Sequence, residues 1–187
     1  MPSSLNKTIK LFFMIILLTI YQSKAQNILT NSNNLLSLSI SCPNNPQCIY
    51  SGQDLFPVTT KIINNSNQNL EIPLEAIKYF LTTSYLKNTQ TGTIVGNFVP
   101  PGIFIPELLQ QLTLLPAHTE IIMTGNYTKK YLKHIFNKES TNQITLYKSM
   151  IVYIHYQGSK EPIGTYKNGK FEPKRFILKA ERIITKK

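Results

Sequence analysis

Cys42 and Cys48 are the only two cysteines, separated by Pro43-Asn44-Asn45-Pro46-Gln47, and such a spacing suits either a small disulfide ring or part of a metal site. A metal site needs further thiolate or imidazole ligands, and none stands within about sixty residues on either side. The three histidines, His118, His134 and His155, lie 16 and 21 positions apart and form neither a His-x-His nor a His-Glu-x-x-His pattern. His155 sits in a strand-like run beside Ile154 and Tyr156, where a hydrogen-bonded sheet histidine is expected, and His134 is expected in solvent. Asp54 is the only aspartate, in a Gly52-Gln53-Asp54 turn where a local backbone hydrogen bond is its expected work. No two carboxylates are close enough in sequence to suggest a paired acid and base. There is no Gly-x-Ser-x-Gly elbow and no glycine-rich phosphate loop. Triad members need not be adjacent in sequence, but one aspartate and no elbow leave little to build one from. The expectation is a chain with no catalytic residues, no cofactor and no metal.

Charge offers a second chemistry. The chain has 20 Lys or Arg against 9 Asp or Glu, and the excess is concentrated in one half. Residues 127–187 hold 14 of the basic residues against Glu139, Glu161, Glu172 and Glu181. Lys129, Lys130, Lys133, Lys174, Arg175, Lys179 and Arg182, with Lys186 and Lys187 beyond them, are candidates for a face toward an anionic surface such as lipid headgroups or polysaccharide. Arg175 and Arg182 are the only arginines. Arginine is the better bidentate phosphate ligand, so nucleic acid is not an expected partner. A Lys-, Asn- and Ile-rich composition would also produce this excess with no binding role at all. Tyr79, Tyr85, Tyr147, Tyr153 and Tyr156 could stack on sugars or bases, although strand packing accounts for them more simply.

The start of the chain bears on the compartment. Lys7 and Lys10 precede the apolar run Leu11–Ile20, and Ser23 and Ala25 stand before Gln26. A charged lead, a short apolar run and a small-x-small site are the marks of a secretory signal peptide. The run is about half the roughly twenty residues of a membrane span. Residues 1–25 are read as a signal peptide, 26–34 as a flexible lead-in and 35–187 as one domain with a basic C-terminal tail, in a periplasmic or secreted protein. In that setting the close cysteine pair reads as a Cys42–Cys48 disulfide. Asn64-Asn65-Ser66 and Asn126-Tyr127-Thr128 match the glycosylation sequon.

These residues must be positioned by strands. Leu36, Leu38 and Ile40 alternate with serines, and Leu55–Ile63 places Phe56, Val58, Thr60 and Ile62 on one face. Ile77–Lys87 alternates with Ile77, Tyr79, Leu81 and Tyr85 on its apolar side, and Thr93–Val99 returns as its hairpin partner. Pro106-Glu107 opens one or two helical turns, with Leu108, Leu109, Leu112 and Leu115 on one face. Thr119–Met123 is a short strand. Asn126 is expected to cap an amphipathic helix over about 127–137 carrying Tyr127, Tyr131, Leu132, Ile135 and Phe136. Gln143–Tyr156 is the longest strand, Asn168-Gly169 marks a hairpin, and a last strand runs from Phe176 to Ala180. Seven to eight short strands with one helix predict an all-β antiparallel sandwich.

The run from Tyr50-Ser51-Gly52-Gln53-Asp54 through Thr60-Lys61-Ile62-Ile63-Asn64-Asn65-Ser66 resembles the second-strand block of bacterial immunoglobulin-like modules. Thr91-Gly92-Thr93-Ile94-Val95 is similar to their third-strand hairpin, and Leu115-Pro116-Ala117-His118-Thr119 to the turn before their fifth strand. The resemblance spans most of residues 35–184 and implies a fold rather than a function. Tryptophan is absent and the cysteines share one loop, so antibody-type hallmarks are missing. The expected function is that of an exported, non-enzymatic module that binds a protein or envelope component. Two alternatives stand beside it: a protease inhibitor presenting the Cys42–Cys48 loop, and a binder of anionic surfaces through the basic half.

Overall fold

The computed structural model describes residues 35–98 and 104–187; the expected signal peptide and lead-in lie outside the described residues. In chain order the elements are β1 (Leu36–Ser41), β2 (Ile49–Tyr50), β3 (Leu55–Asn64), β4 (Leu70–Ile72), α1 (Leu74–Tyr79), β5 (Thr82–Asn88) and β6 (Ile94–Phe98). After a 3-10 turn at Pro106–Leu109 come β7 (Thr113–Leu115), β8 (Glu120–Thr128), α2 (Lys129–Lys138), β9 (Gln143–Val152) and β10 (His155–Tyr156). The chain then runs through β11 (Gly164–Lys167), β12 (Lys170–Pro173) and β13 (Phe176–Lys186).

The fold is an all-β sandwich. A three-stranded sheet, ordered β1-β3-β8, faces a five-stranded sheet, ordered β2-β13-β9-β5-β6, and a small sheet, β10-β4-β7, lies beside them. Period-two side chains explain the core. Leu36, Leu38 and Ile40 of β1, Phe56, Val58 and Ile62 of β3, and Ile144, Leu146, Met150 and Val152 of β9 are all buried. At one end α2 closes the sandwich: Phe136 stacks on Tyr50 at 5.8 Å, and Tyr50 meets Phe56 edge-on at 6.1 Å. The Asn-Gly hairpin is present, with Asn168 at φ 49° and Gly169 at φ 74°, as a primed two-residue turn requires.

Several local expectations are corrected, each because a long-range partner outweighs a local signal. Ile77–Tyr79 is helical: Pro73 starts α1, Lys78 pairs with Glu75 at 2.6 Å, and the strand begins only at Thr82. Its phase is opposite to expectation, with Ser84, Leu86 and Asn88 buried, because Tyr85 stacks on Tyr147 at 4.5 Å. The second helix starts at Lys129, not 127, since β8 stays paired with β3 as far as Thr128 opposite Leu55. Thr128 rather than Asn126 is therefore the cap, its hydroxyl accepting from the Tyr131 N–H at 3.3 Å.

The long strand from Gln143 ends at Val152, and His155 and Tyr156 pair instead with Glu71 and Leu70 in the small sheet. Leu112 and Leu115 do not continue the turn at Pro106, because Leu115 pairs with Leu70 in the same sheet. Two pieces are longer or differently paired than expected. β13 extends to Lys186, and its pairing with β2 is parallel.

Candidate functional site

The two lateral edges of the sandwich differ. At one edge the chain leaves β1, turns through Cys42–Cys48 and enters β2, so it passes from the three-stranded to the five-stranded sheet. The expected disulfide is present, with both cysteines buried. Its loop is a compact set of turns: the Asn45 N–H donates to the Cys42 carbonyl, and the Cys48 N–H to that of Asn45. The Asn45 side chain both donates to the Ile49 carbonyl and accepts from the Ile49 N–H, at 2.7 and 3.0 Å.

Arg182, in phase with buried Leu178, Ala180 and Ile184 on β13, points at this loop. Its Nε donates to Cys48 Sγ at 3.1 Å and its Nη2 to the Pro46 carbonyl. One of the basic-face candidates is thus engaged within the fold.

At the opposite edge β8 and β5 face each other across a cavity of about 250 Å³. Val58 and Thr60 of β3 and Met123, Gly125, Asn126 and Tyr127 of β8 form one wall, and Thr82, Ser84, Lys148 and Met150 the other. Lys78 of α1 also lines the cavity. Lys148 holds an inward position of β9, between Leu146 and Met150 in the alternating set. Its cross-strand neighbours are the small residues Ser84 and Ala180, which leave room for a long side chain. Among the described residues it has no ion-pair or hydrogen-bond partner, and burial alone pushes its pKa below the ordinary lysine value.

On the facing wall the hydroxyl of fully buried Thr60 is also without a partner. Buried hydroxyls are normally hydrogen-bonded, but this oxygen has no surface open to the cavity, so Lys148 is the unpaired group that faces it. Burial raises the pKa of Tyr127, opposed by a hydrogen bond with Ser84 and reinforced by Tyr131. The cavity can therefore hold an apolar body and receive one acceptor group.

The remaining basic candidates do not form one face. Lys129, Lys130 and Lys133 are exposed on α2; Lys129 pairs with Asp54 at 3.3 Å, and Lys186 reaches Asn137 at the far end of that helix at 3.3 Å. Lys174 and Arg175 precede the other end of β13, about 35 Å along an eleven-residue strand. Screening limits exposed charges to about 8 Å at physiological salt, so the two groups act separately. Lys174 lies 4.9 Å from the Phe176 ring centre, and Lys179 is half-buried on β13.

The Asp54 side chain thus accepts from a lysine and not from its own turn, where Gln53 Oε1 takes the Ser51 N–H instead. His134 is exposed as expected; His155 is buried as expected, yet its Nδ1 has no partner. Of the five candidate tyrosines only Tyr85 and Tyr147 stack on each other, with Lys87 5.7 Å above the Tyr147 ring. Asn64, the first residue of one sequon, is fully buried and donates to the carbonyls of Gln68, Leu115 and Pro116. Its amide is not open to a sugar in the folded chain.

Lys148, Thr60 and Ser84 are the cavity residues that composition and motif spacing pass over. A signal for the first does exist: Ile144, Leu146, Lys148, Met150 and Val152 alternate in one phase, so a lysine occupies a core position.

No protein-family model matches the chain, and no curated protein does. Among solved structures, a structural-genomics target studied by X-ray crystallography is similar at 13% identity over 82% of this chain and 88% of that one, with a TM-score of 0.38. A CARDB domain from Pyrococcus furiosus is similar at 10% identity over 81% and 93%, with a TM-score of 0.31. A protein from Archaeoglobus fulgidus is similar at 8% identity over 84% and 98%, with a TM-score of 0.32.

Proposed function

We propose that this chain is an exported immunoglobulin-like binding module that holds a ligand without transforming it, and that the cleft between β8 and β5 is where it does so. The observation that carries this reading is the cavity itself. It is walled by Val58, Met123, Met150 and Tyr127, and half-buried Lys148 lines it with no partner among the described residues. A concave, mostly apolar site with a few convergent polar groups is the usual form of a small-molecule pocket. The disulfide and the signal-like start support export, and an envelope component is the expected source of the ligand.

A neutral apolar dye whose fluorescence rises on leaving water tests the reading with the natively folded chain. Binding is expected, and Gly125→Leu should abolish it. A Cβ added at Gly125 meets nothing within 4 Å, so a leucine side chain can occupy the mouth of the cleft without disturbing its walls. No fluorescence rise with the unmodified chain would overturn the cleft as a binding site. Fusion of residues 1–30 to a reporter checks export separately, and cytoplasmic retention would remove that part.

A further inference from the structure

We infer that the cleft takes an amphiphilic monocarboxylate, an apolar body of about ten carbons whose single anionic head lies against Lys148. This rests on the reading of the cleft as a ligand site and names what fills it. The cleft contributes no carboxylate of its own: its lining is apolar or neutral except for Lys148 and Lys78, and Lys78 is already held by Glu75 at 2.6 Å. Lys148 is left as an inward-facing cation with no counter-ion among the described residues. Desolvating an ammonium without a partner is unfavourable, and a buried charge is normally paired. An anion entering the cleft supplies that partner.

The charge count sets the head group. One unpaired ammonium matches a carboxylate, with its one negative charge. A phosphate monoester would bring a further charge into an apolar cleft that holds no arginine to meet it. Volume sets the body. A cavity of about 150 Å³ accommodates a six-carbon ring, so the 250 Å³ here corresponds to about ten carbons. Met123 and Met150, on opposite walls, have the side-chain flexibility to fit a chain rather than one rigid shape.

Calorimetric titration of the folded chain at neutral pH with decanoate and with 1-decanol tests this. Decanoate is expected to bind about tenfold or more tightly than the alcohol, as a desolvated charge pair should. Lys148→Met should bring decanoate to the affinity that the same variant shows for the alcohol. Lys148→Gln is the second variant, and far-ultraviolet dichroism checks that each one folds.

Equal affinity for the two probes, or decanoate binding unchanged in both Lys148 variants, would overturn the monocarboxylate while leaving the cleft as an apolar site. Binding of neither probe would overturn the cleft reading as well.

Discussion

Arg182 and Lys148 are two cations on the inner face of the same sheet, on neighbouring strands, yet their surroundings are opposite. Arg182 sits where the chain crosses between sheets, and the crossing loop supplies it with a carbonyl and a sulfur. Lys148 sits toward the edge formed by β8 and β5, where the described chain provides no such loop and no acceptor. A half-buried cation is accommodated by the backbone that passes near it rather than by its position in the strand pattern. The sealed edge is built for stability, whereas the open edge retains unmet polar capacity, which is what a binding site needs.

The contrast can be attacked from its strongest element downward. Phe136→Ala removes a fully buried ring from the end closed by α2 and should lower stability by about 3–5 kcal/mol in urea denaturation. A loss near zero would mean that α2 does not close the core. Replacing Cys42 and Cys48 together by alanine should cost about 2 kcal/mol, the loop-closure value for so small a ring, with the β-rich circular dichroism retained. Collapse of the fold would make the sealed edge the organiser of the whole domain.

Arg182→Met should cost about 0.5–1 kcal/mol, the net worth of a hydrogen bond to an exposed carbonyl that water can take over. Lys148→Met should act in the opposite direction and stabilise the unliganded chain by about 1 kcal/mol at neutral pH, since it removes an unpaired ammonium from the cleft.

The sign of the last effect has a pH signature. The folded-state pKa of Lys148 lies below its ordinary 10.5. Between those two values the unfolded chain holds a proton that the folded chain lacks, so stability rises with pH across that window. The advantage of Lys148→Met should be fully present below the folded pKa and fade as the pH approaches 10.5. The buried tyrosines titrate in both proteins and cancel from the difference. Urea titrations at neutral pH and near pH 10 measure this, and a gain independent of pH would mean that the lysine's charge is not what destabilises the cleft.

How much of this was legible depends on whether the deciding partner is near in sequence. The alternation in Leu36–Ile40 and the Asn168-Gly169 turn are local facts, and both appear as read. The Cys42–Cys48 ring closes over six positions, and it too is present. Asn126 was a sound local cap signal, but Pro57 lies opposite it in β3, so strand pairing takes that residue. Tyr85 and Ser84 could not be assigned to a face from alternation alone, because the choice rests on Tyr147, far along the chain. The cleft was only half legible. Lys148 in phase with Leu146 and Met150 is visible in the residues, but that no described group pairs with it is a property of the assembled edge.

The place of β13 has a consequence in time. It lies C-terminal to every other described strand, yet it is an inner strand of the five-stranded sheet, between β2 and β9. Arg182 and Cys48, joined by a hydrogen bond, are 134 positions apart. Contacts of such separation form slowly, because the loop between them must be closed before any of them stabilises it. A nascent chain can form the β5–β6 and β5–β9 pairings early, but β2 has nothing to pair with until residues 176–186 emerge. The five-stranded sheet thus stays incomplete until residues 176–186 have emerged, and the six-position cysteine ring can close well before the sheet that later buries it.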